Sequence, residues 1–266
     1  MLDLNIISNY IDKQQVVYVA FSGGIDSVAL LYACSVLKKD GRLNELKAIH
    51  VNHNLSINAK LWEDHCINIC KKLNIELTIH NIFIETNKDG LESAARKGRY
   101  DVFNKVVKHN EQLLLGHHAD DVAETILFRL FRGTGIDGLQ GPKLKRKIGE
   151  GTLIRPLLKF SKKELLDFIT TNKIDYIEDE SNKESNQDRN YIRNKIMPLI
   201  HERWQNSEKR IQLTSELIQE KLEIFNSLFI EKYATILVNN QIPLIELKKL
   251  KENEAKELFR YAINLD

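Results

Sequence analysis

The stretch Val16–Ser27 reads VVYVAFSGGIDS, an apolar β-branched run followed by a glycine pair and the start of a helical pattern. The run Val16–Phe21 predicts a buried strand. Asp26–Lys38, with apolar residues three and four apart, predicts the helix after it. The glycine pair allows a tight turn with no Cβ between the backbone and an anion. Because the next helix begins with unpaired N–H groups, this junction predicts a phosphate-binding loop.

Polar side chains of this loop suit the same ligand. Ser22 and Ser27 can donate hydroxyl hydrogen bonds to a phosphate, and Asp26 is placed to hold Mg²⁺ against the phosphates. The loop over Ser22–Ser27 matches neither GxxxxGK[ST] nor GxGxxG, which excludes a Walker loop and a dinucleotide fingerprint at this junction. The plainer alternative is a strand–turn–helix junction in which Asp26 only caps the helix.

The alternation of apolar runs and helical patterns continues along the chain. Strand–helix alternation predicts right-handed βαβ units, so the fold class is α/β, with a parallel sheet and helices on both faces. Ligands of such folds bind at the carboxyl ends of the strands. The further strands are predicted at Leu46–Val51, Ile75–Phe83, Gln112–Gly116 and Thr152–Leu158, and the further helices at Ala59–Leu73, Leu91–Lys108, Ala119–Phe131 and Ser161–Asn172.

Two later stretches depart from this alternation. Residues 132–151 are rich in glycine and basic residues and predict an irregular functional loop, and residues 178–194 are polar and irregular. Beyond Asn194 the pattern is helical throughout. We therefore predict a nucleotide-binding catalytic domain over 1–205 and a smaller helical region over 206–266. The last helical segment reaches Asp266 with no cap or polar tail, a pattern that predicts a truncated chain.

Composition excludes several classes of protein. With 42% hydrophobic and 29% charged residues in 266, the chain is no extended disordered protein. Its N-terminus lacks a basic stretch before an apolar run, and no segment has the roughly 18 apolar residues of a membrane span. We therefore expect a cytoplasmic protein without a membrane partner. The three cysteines form no CxxC pair and predict buried, reduced thiols rather than a metal site.

Charge is unevenly distributed, although the net charge is only +2. Residues 88–163 contain 16 Lys and Arg against nine Asp and Glu. Such a segment suits a polyanionic partner, although a solvated surface is the commoner meaning of a charge run.

The hexapeptide Ser22–Ser27 resembles the SGGxDS signature of the PP-loop ATP pyrophosphatases. Members of that family cleave ATP between the α- and β-phosphates, adenylate a carbonyl or carboxylate oxygen, and release pyrophosphate. The resemblance implies ATP and Mg²⁺ as cofactors, with Asp26 as a catalytic and metal-binding residue. The ATP-binding residues that it implies are Ala20, Phe21, Ser22, Gly23, Gly24, Ile25, Asp26 and Ser27.

Four further stretches are similar to the tRNA(Ile)-lysidine synthetase family. These are HVNH at 50–53, ARKGRY at 95–100, GHHADDVAET at 116–125 with RGTGIDGL at 132–139, and EDESN at 178–182 with RNYIR at 189–193. The family uses ATP to activate the C2 carbonyl of the wobble cytidine in the CAU anticodon of tRNA(Ile). The ε-amine of free lysine then replaces the oxygen. The resemblance implies tRNA(Ile) and L-lysine as partners.

The resemblance also suggests roles for single residues. Asp121 and Glu124, three apart on one helix face, are implied to bind lysine, whereas without the resemblance they would be read as compensating the helix dipole. His50 is implied to bind ATP, by hydrogen bonding rather than through a metal. The other implied residues are Arg96, Arg189 and Arg193 in catalysis and Arg99, Arg132, Lys143, Lys145, Arg146 and Lys147 in tRNA binding.

Two alternatives remain open from the sequence. Another PP-loop enzyme, such as a tRNA cytidine thiolase, would be expected to carry CxxC pairs. A non-catalytic nucleotide sensor of related α/β fold would not need the arginines after residue 90.

Overall fold

The computed structural model describes residues 2–54, 58–83, 91–177, 188–237 and 241–263. These residues form two compact units, Met1–Ser215 and Glu216–Asp266. The division falls inside a long helix that begins in the first unit. The boundary predicted at 205/206 lies just before that helix and stays a prediction.

The first unit contains six strands and most of the helices. The strands are β1 Val16–Ala20, β2 Glu45–Asn52, β3 Glu76–Asn81, β4 Glu111–Leu114, β5 Lys145–Ile148 and β6 Gly151–Ile154. The helices are α1 Leu4–Tyr10, α2 Ile25–Lys39, α3 Ala59–Leu73, α4 Leu91–Val106, α5 Ala119–Phe131, α6 Ile136–Leu139, α7 Lys162–Thr171, α8 Asp188–Tyr191, a π-helical turn Ile192–Ile196, α9 Met197–Arg203 and the start of α10 Ser207–Tyr233.

The strands form one sheet in the order β3-β2-β1-β4-β6-β5. All neighbours pair in parallel except β5, which is antiparallel to β6. The chain moves outward from β1 to β3 on one side and then returns to β4 on the other. The crevice between the carboxyl ends of β1 and β4 is therefore the topological switch point at which such sheets bind ligands.

Helices cover both faces of this sheet, as predicted. Val17 and Val19 of β1 are fully buried in the cluster that contains Leu30 of α2 and Leu165 of α7. Their neighbour Tyr18 instead packs against the cluster of Phe103 from α4, because alternate side chains of a strand point to opposite faces. The α/β fold class is confirmed, and the two buried clusters fix the sheet from both sides.

The prediction for residues 132–151 was wrong in part. This stretch is not wholly irregular, since it contains the short helix α6 and the edge strand β5. The predicted strand Thr152–Leu158 covers only Gly151–Ile154, and a hairpin joins it to β5. The sequence of β5, Lys145–Ile148, resembles a solvated charge run because three of its four side chains are exposed at the sheet edge.

The second unit consists of the rest of α10, a 3₁₀ turn Ala234–Ile236, α11 Leu244–Leu247 and α12 Glu252–Ile263. The helical pattern at the end of the chain is thus divided between two helices, α11 and α12. Phe229 and Tyr233 of α10 pack with Leu258 of α12 into a small buried cluster. In neither unit do the described residues include a helix long and apolar enough to cross a membrane.

Candidate active site

The loop after β1 is held in shape by its own serines. The Ser22 backbone N–H donates to Ser27 Oγ (3.2 Å), and Ser27 Oγ donates to the Gly24 carbonyl (3.0 Å). Gly23 has a φ of +84°, and a Cβ there would lie 3.1 Å from Cys66 Sγ, so the turn requires glycine. The helix α2 begins directly after Gly24, and its side chains supply no hydrogen-bonding cap. Its first N–H groups therefore remain for an anion.

The segment after β4 lies directly against this loop. A Cβ on Gly116 would be 3.0 Å from the carbonyl carbon and oxygen of Asp26. Only glycine lets the end of β4 approach the first turn of α2 this closely, because the atoms in the way are backbone. The close approach brings the GHHADD stretch against the SGGIDS loop at the switch point.

His118 links these two segments electrostatically. Its Nε2 lies 3.5 Å from Asp26 Oδ1 and 3.5 Å from Asp121 Oδ2, and its Nδ1 lies 3.3 Å from Asp120 Oδ2. Burial alone would lower the pKa of His118, but the negative charges of Asp121, Asp120 and Asp26 outweigh it and raise that pKa well above its ordinary value. His118 is therefore a buried imidazolium among three carboxylates.

The carboxylates also fix the surrounding backbone. Asp121 Oδ2 accepts the His118 N–H (3.1 Å), which caps the start of α5. Asp120 Oδ2 accepts the Lys162 N–H (2.8 Å) at the start of α7. Although burial opposes ionisation, His118, His117 and Arg189 lower the pKa of Asp121 far below its usual range. Asp121 is thus charged at neutral pH.

Two arginines bind the carboxylates that the sequence assigned to lysine. Glu124 is only 2% exposed. It accepts Arg193 Nε at Oε1 (2.6 Å), and Arg189 Nε at Oε2 (3.1 Å). Arg189 also donates to Asp121 Oδ1 (3.2 Å) and so bridges both carboxylates. The sequence predicted all four residues for the site, and the structure brings them together as ion pairs.

Arg189 and Arg193 reach one carboxylate because residues four apart lie on the same face of a helix. Arg189 lies in the short helix α8 and Arg193 lies four residues later in the π-helical turn. Ile192 and Met197 of the same segment pack against Ala123 of α5 and fix it there.

Arg96 belongs to a second, basic group that lies beside the first. Its guanidinium lies 5.0 Å from the centre of the Tyr100 ring, and that of Arg146 lies 4.8 Å from the same centre. Arg155, only 4% exposed, donates from Nε to His117 Nδ1 (3.3 Å) and from Nη1 to the Lys143 carbonyl (2.6 Å). Burial lowers the pKa of His117 to about 3, so this histidine is neutral.

Sequence reasoning missed several members of these groups. His117, His118, Asp120 and Tyr100 were named only within motifs, and Arg155 not at all. Arg155 directly precedes Pro156 at the end of β6, and its position at the carboxyl edge of a strand was the available signal.

The remaining predicted residues occupy different surroundings. His50 is buried, and its Nδ1 lies 2.8 Å from the Phe21 carbonyl, so Nδ1 carries a proton and donates it. Burial lowers the pKa of His53 to about 4, and the nearby half-buried Arg99 adds to this effect. The exposed Arg132 lies over the Phe128 ring, and Lys143, Lys145 and Lys147 are exposed. The predicted stretch at 178–182 lies outside the described residues.

Comparison with known proteins supplies the family. A model of the PP-loop domain matches residues 3–200. The chain belongs to the PP-loop family. It is also 34% identical over 261 residues to a tRNA(Ile)-lysidine synthase of Buchnera aphidicola, which covers 98% of the chain and 58% of that relative. A tRNA(Ile)-lysidine synthase of Legionella pneumophila is 42% identical over 187 residues, which are 70% of the chain and 42% of that relative.

These matches confirm both resemblances predicted from the motifs. The chain spans about half the length of the curated relatives it matches. Among solved structures, a U34-tRNA thiolase from Methanococcus maripaludis with a [4Fe-4S] cluster is similar, with a TM-score of 0.65 and 18% identity. The match covers 81% of this chain and 77% of that one and supports the PP-loop fold.

The PP-loop carries one group suited to a cation. Asp26 Oδ1 is buried and accepts no hydrogen bond within the part of the chain that the structure describes. Those residues include no group of three or more His, Cys, Asp and Glu side chains that could hold a metal. An Mg²⁺ ion that takes most of its ligands from nucleotide phosphates and water, with one carboxylate, fits this arrangement. The three cysteines are free and buried, as predicted.

The charges around His118 predict how stability depends on pH. Because the pKa of His118 is raised, its contribution is complete below the ordinary value of 6.5 and is lost as the pH rises through the folded-state pKa. Because the pKa of Asp121 is lowered, its contribution is complete above 3.8 and is lost as the pH falls through the folded-state pKa. We expect the free energy contributed by the pair to be largest between pH 3.8 and 6.5.

Urea unfolding from pH 4 to 9 tests this expectation. Above pH 6.5 the wild-type protein should lose up to about 1.4 kcal/mol per pH unit that His118→Gln does not lose. His109→Gln changes an exposed histidine and should follow the wild type. Identical pH profiles for wild type and His118→Gln would contradict an imidazolium at position 118.

Proposed function

We propose that this protein is a tRNA(Ile)-lysidine synthetase of the cytoplasm, without a membrane partner. In this proposal the C2 oxygen of the wobble cytidine in the CAU anticodon attacks the α-phosphorus of ATP, and pyrophosphate leaves. The ε-nitrogen of free lysine, after loss of a proton, then bonds to C2 while the C2–O bond breaks and AMP leaves. The observation that carries the proposal is the contact of the SGGIDS loop with the Asp121 carboxylate through His118.

The nucleotide half of the proposed site is the loop itself. The backbone N–H groups of Gly23–Ser27 and the hydroxyl of Ser22 would bind the β- and γ-phosphates, with Ala20 and Phe21 near the nucleoside. The Ser27 hydroxyl donates to the Gly24 carbonyl and would hold the loop in shape. His50 Nδ1 donates to the Phe21 carbonyl, which leaves the other ring nitrogen as an acceptor for the nucleotide. Mg²⁺ held by Asp26 would supply positive charge against the phosphates.

The charge around His118 supports a cationic second substrate. Asp26, Asp120, Asp121 and Glu124 are four carboxylates, whereas His118, Arg189 and Arg193 are three cations that contact them. One formal negative charge remains, which suits a lysine ammonium or Mg²⁺.

Arg189 occupies the place that we propose for the lysine ammonium. Its side chain is 34% exposed and bridges Glu124 Oε2 and Asp121 Oδ1, the two acceptors that an ammonium would need. Arg193 is less exposed and its pKa, although lowered by burial, is raised on balance by Glu124 and Asp121. Lysine would exchange with Arg189, whose guanidinium then becomes available to the phosphate of the adenylate. Arg193 would stay on Glu124.

Nucleoside analysis is the direct test of the proposed function. A tRNA(Ile) transcript with a CAU anticodon should yield lysidine after incubation with the protein, ATP, Mg²⁺ and lysine. A transcript whose wobble base is uridine is the matched control and should yield none. AMP release that does not depend on lysine, or lysidine-free tRNA after complete ATP turnover, would contradict the proposal.

Asp26 is the first residue to test. We expect Asp26→Ala to abolish tRNA-dependent AMP formation, because the loop then lacks the carboxylate that holds the ion against the phosphates. Asp40→Ala removes a carboxylate from the opposite end of the same helix and should leave AMP formation unchanged. Equal turnover by Asp26→Ala and the wild type, measured as labelled AMP, would remove Asp26 from the mechanism.

Glu124 separates the two half-reactions. We expect Glu124→Gln to reduce lysine transfer a hundredfold or more and adenylation much less, so that adenylated tRNA accumulates. Losing one partner of a buried charge pair costs on the order of 3–5 kcal/mol, whereas the SGGIDS loop is unchanged. Labelled AMP trapped on the tRNA measures the intermediate.

Glu220→Gln, on the exposed surface of α10, is the control for this substitution. It should behave as the wild type in both half-reactions. Loss of adenylation and lysine transfer in equal proportion by Glu124→Gln would assign the carboxylate to ATP or metal binding instead.

The exposed lysines of residues 143–147 are proposed to bind tRNA together with Arg99 and Arg132. We expect the triple substitution of Lys143, Lys145 and Lys147 by Gln to weaken tRNA binding and to leave ATP binding unchanged. The slope of log affinity against log salt should fall by about one unit for each phosphate that the variant no longer binds. Filter binding at several salt concentrations measures this slope. An unchanged slope would show that these lysines belong to the solvated surface and do not bind tRNA.

A further inference from the structure

Three arginines that the sequence assigns to different tasks or to none meet around one tyrosine. Arg96 comes from α4, Arg146 from the edge strand β5 and Arg155 from the end of β6. The guanidinium groups of Arg96 and Arg146 lie 5.0 Å and 4.8 Å from the centre of the Tyr100 ring. Arg96 Nη2 also lies 3.5 Å from the Tyr100 hydroxyl. Arg155 interacts with the same tyrosine, so the three arginines form one group, the Tyr100 arginine cluster.

The positive charge of this cluster is not balanced by the described protein. Across residues 91–177 and the other described ranges, no carboxylate forms a salt bridge with Arg96, Arg146 or Arg155. The histidine that accepts from Arg155 is neutral. Arg155 is 4% exposed, and burial with the nearby Arg146 and Arg96 lowers its pKa. Such a buried cation is costly unless an anion completes its surroundings.

Backbone contacts nevertheless hold Arg155 in a single position. Its N–H donates to the Leu144 carbonyl (2.9 Å) and its Nη1 to the Lys143 carbonyl (2.6 Å), so both bonds anchor it to the segment that leads into the strand of Arg146. Its Nε donates to His117 Nδ1, next to the switch point. The arginine is therefore preorganised between the edge hairpin and the active site, as an anion-binding group must be.

We propose that Arg96, Arg146 and Arg155 together bind one phosphate group at the carboxyl edge of the sheet. A phosphate accepts several guanidinium hydrogen bonds at once, and it supplies the negative charge that the cluster lacks. Two sources offer this chemistry in the proposed function on which the inference rests, the tRNA backbone and the pyrophosphate part of ATP.

Position favours the tRNA backbone as the source. Arg155 follows β6, whereas the SGGIDS loop follows β1, and β4 lies between these strands. Neighbouring strands are about 4.8 Å apart, so the two positions are separated by roughly 10 Å across the sheet. Phosphates of one nucleotide bound at the loop lie much closer together than this. A backbone phosphate beside the target nucleotide spans the distance.

Counterion release measures how many phosphates the cluster binds. Arg146→Gln, at an exposed position, should weaken tRNA binding several-fold and reduce the salt slope by about one unit. The double variant Arg96→Gln/Arg146→Gln should weaken binding further but still reduce the slope by only about one unit in total, because both side chains serve one phosphate. The control for removal of a charge is Lys39→Gln, at the C-terminal end of α2. This variant should keep the wild-type slope.

The results distinguish a phosphate of the tRNA backbone from a phosphate of ATP, and they can also overturn the proposed phosphate site. A lower tRNA affinity with unchanged affinity for Mg²⁺–ATP and inorganic pyrophosphate, measured by calorimetry, assigns the phosphate to the RNA. Lower pyrophosphate affinity with unchanged tRNA affinity assigns it to the nucleotide. A total decrease of about two units of salt slope would overturn the single-phosphate site. Unchanged affinity for both tRNA and pyrophosphate would overturn it as well.

Arg155 is tested with two substitutions, because removal of this buried side chain can unfold the protein. Arg155→Lys keeps the charge and should retain part of the tRNA affinity, whereas Arg155→Gln should lose as much as Arg146→Gln. The urea midpoint checks folding of each variant. These measurements report binding alone, so they keep their meaning if no lysidine is formed and the proposed function fails.

Discussion

The site depends on the buried imidazolium of His118 and the three carboxylates around it. Asp26 belongs to the first turn of α2, Asp120 and Asp121 to the first turn of α5, and Asp120 also accepts the first N–H of α7. One side-chain cation therefore ties together the starts of three helices at the carboxyl edge of the sheet. Without it, the carboxylates would repel one another across the crevice in which the phosphate loop ends.

Negative side chains surround His118, whereas positive side chains surround its neighbour His117. On the His118 side the carboxylates outnumber the cations that contact them, and on the His117 side the arginines have no carboxylate partner among the described residues. The histidines are adjacent in sequence, yet burial and neighbours lower one pKa and raise the other. Such a division suits a reaction in which a cationic amine and a polyanionic nucleic acid meet a nucleotide.

Two close backbone approaches make this arrangement possible. Gly116 lets the end of β4 touch the first turn of α2, and the positive φ of Gly23 turns the loop back over Cys66. Arg189 of α8 and Arg193 of the turn after it, four residues apart, then both reach Glu124. The polar groups rely on this scaffold, because a salt bridge between side chains on separate elements forms only where the backbone already places them.

The sequence alone determined the α/β class, the phosphate loop and its family, because local patterns encode them. A β-branched run, a glycine pair and a helical period each report on their own residues, and SGGIDS is contiguous. The same holds for Asp121 and Glu124, which share a helix face through their spacing.

Only the tertiary structure decided which of these residues share one site. That Glu124 pairs with Arg193 rather than with solvent depends on contacts across 69 residues, which no local pattern records. The edge strand β5 was missed for a related reason, since its charged sequence becomes a strand only when β6 supplies hydrogen bonds. Arg155 was missed because a lone arginine gains its meaning from burial and from the two arginines that the fold places beside it.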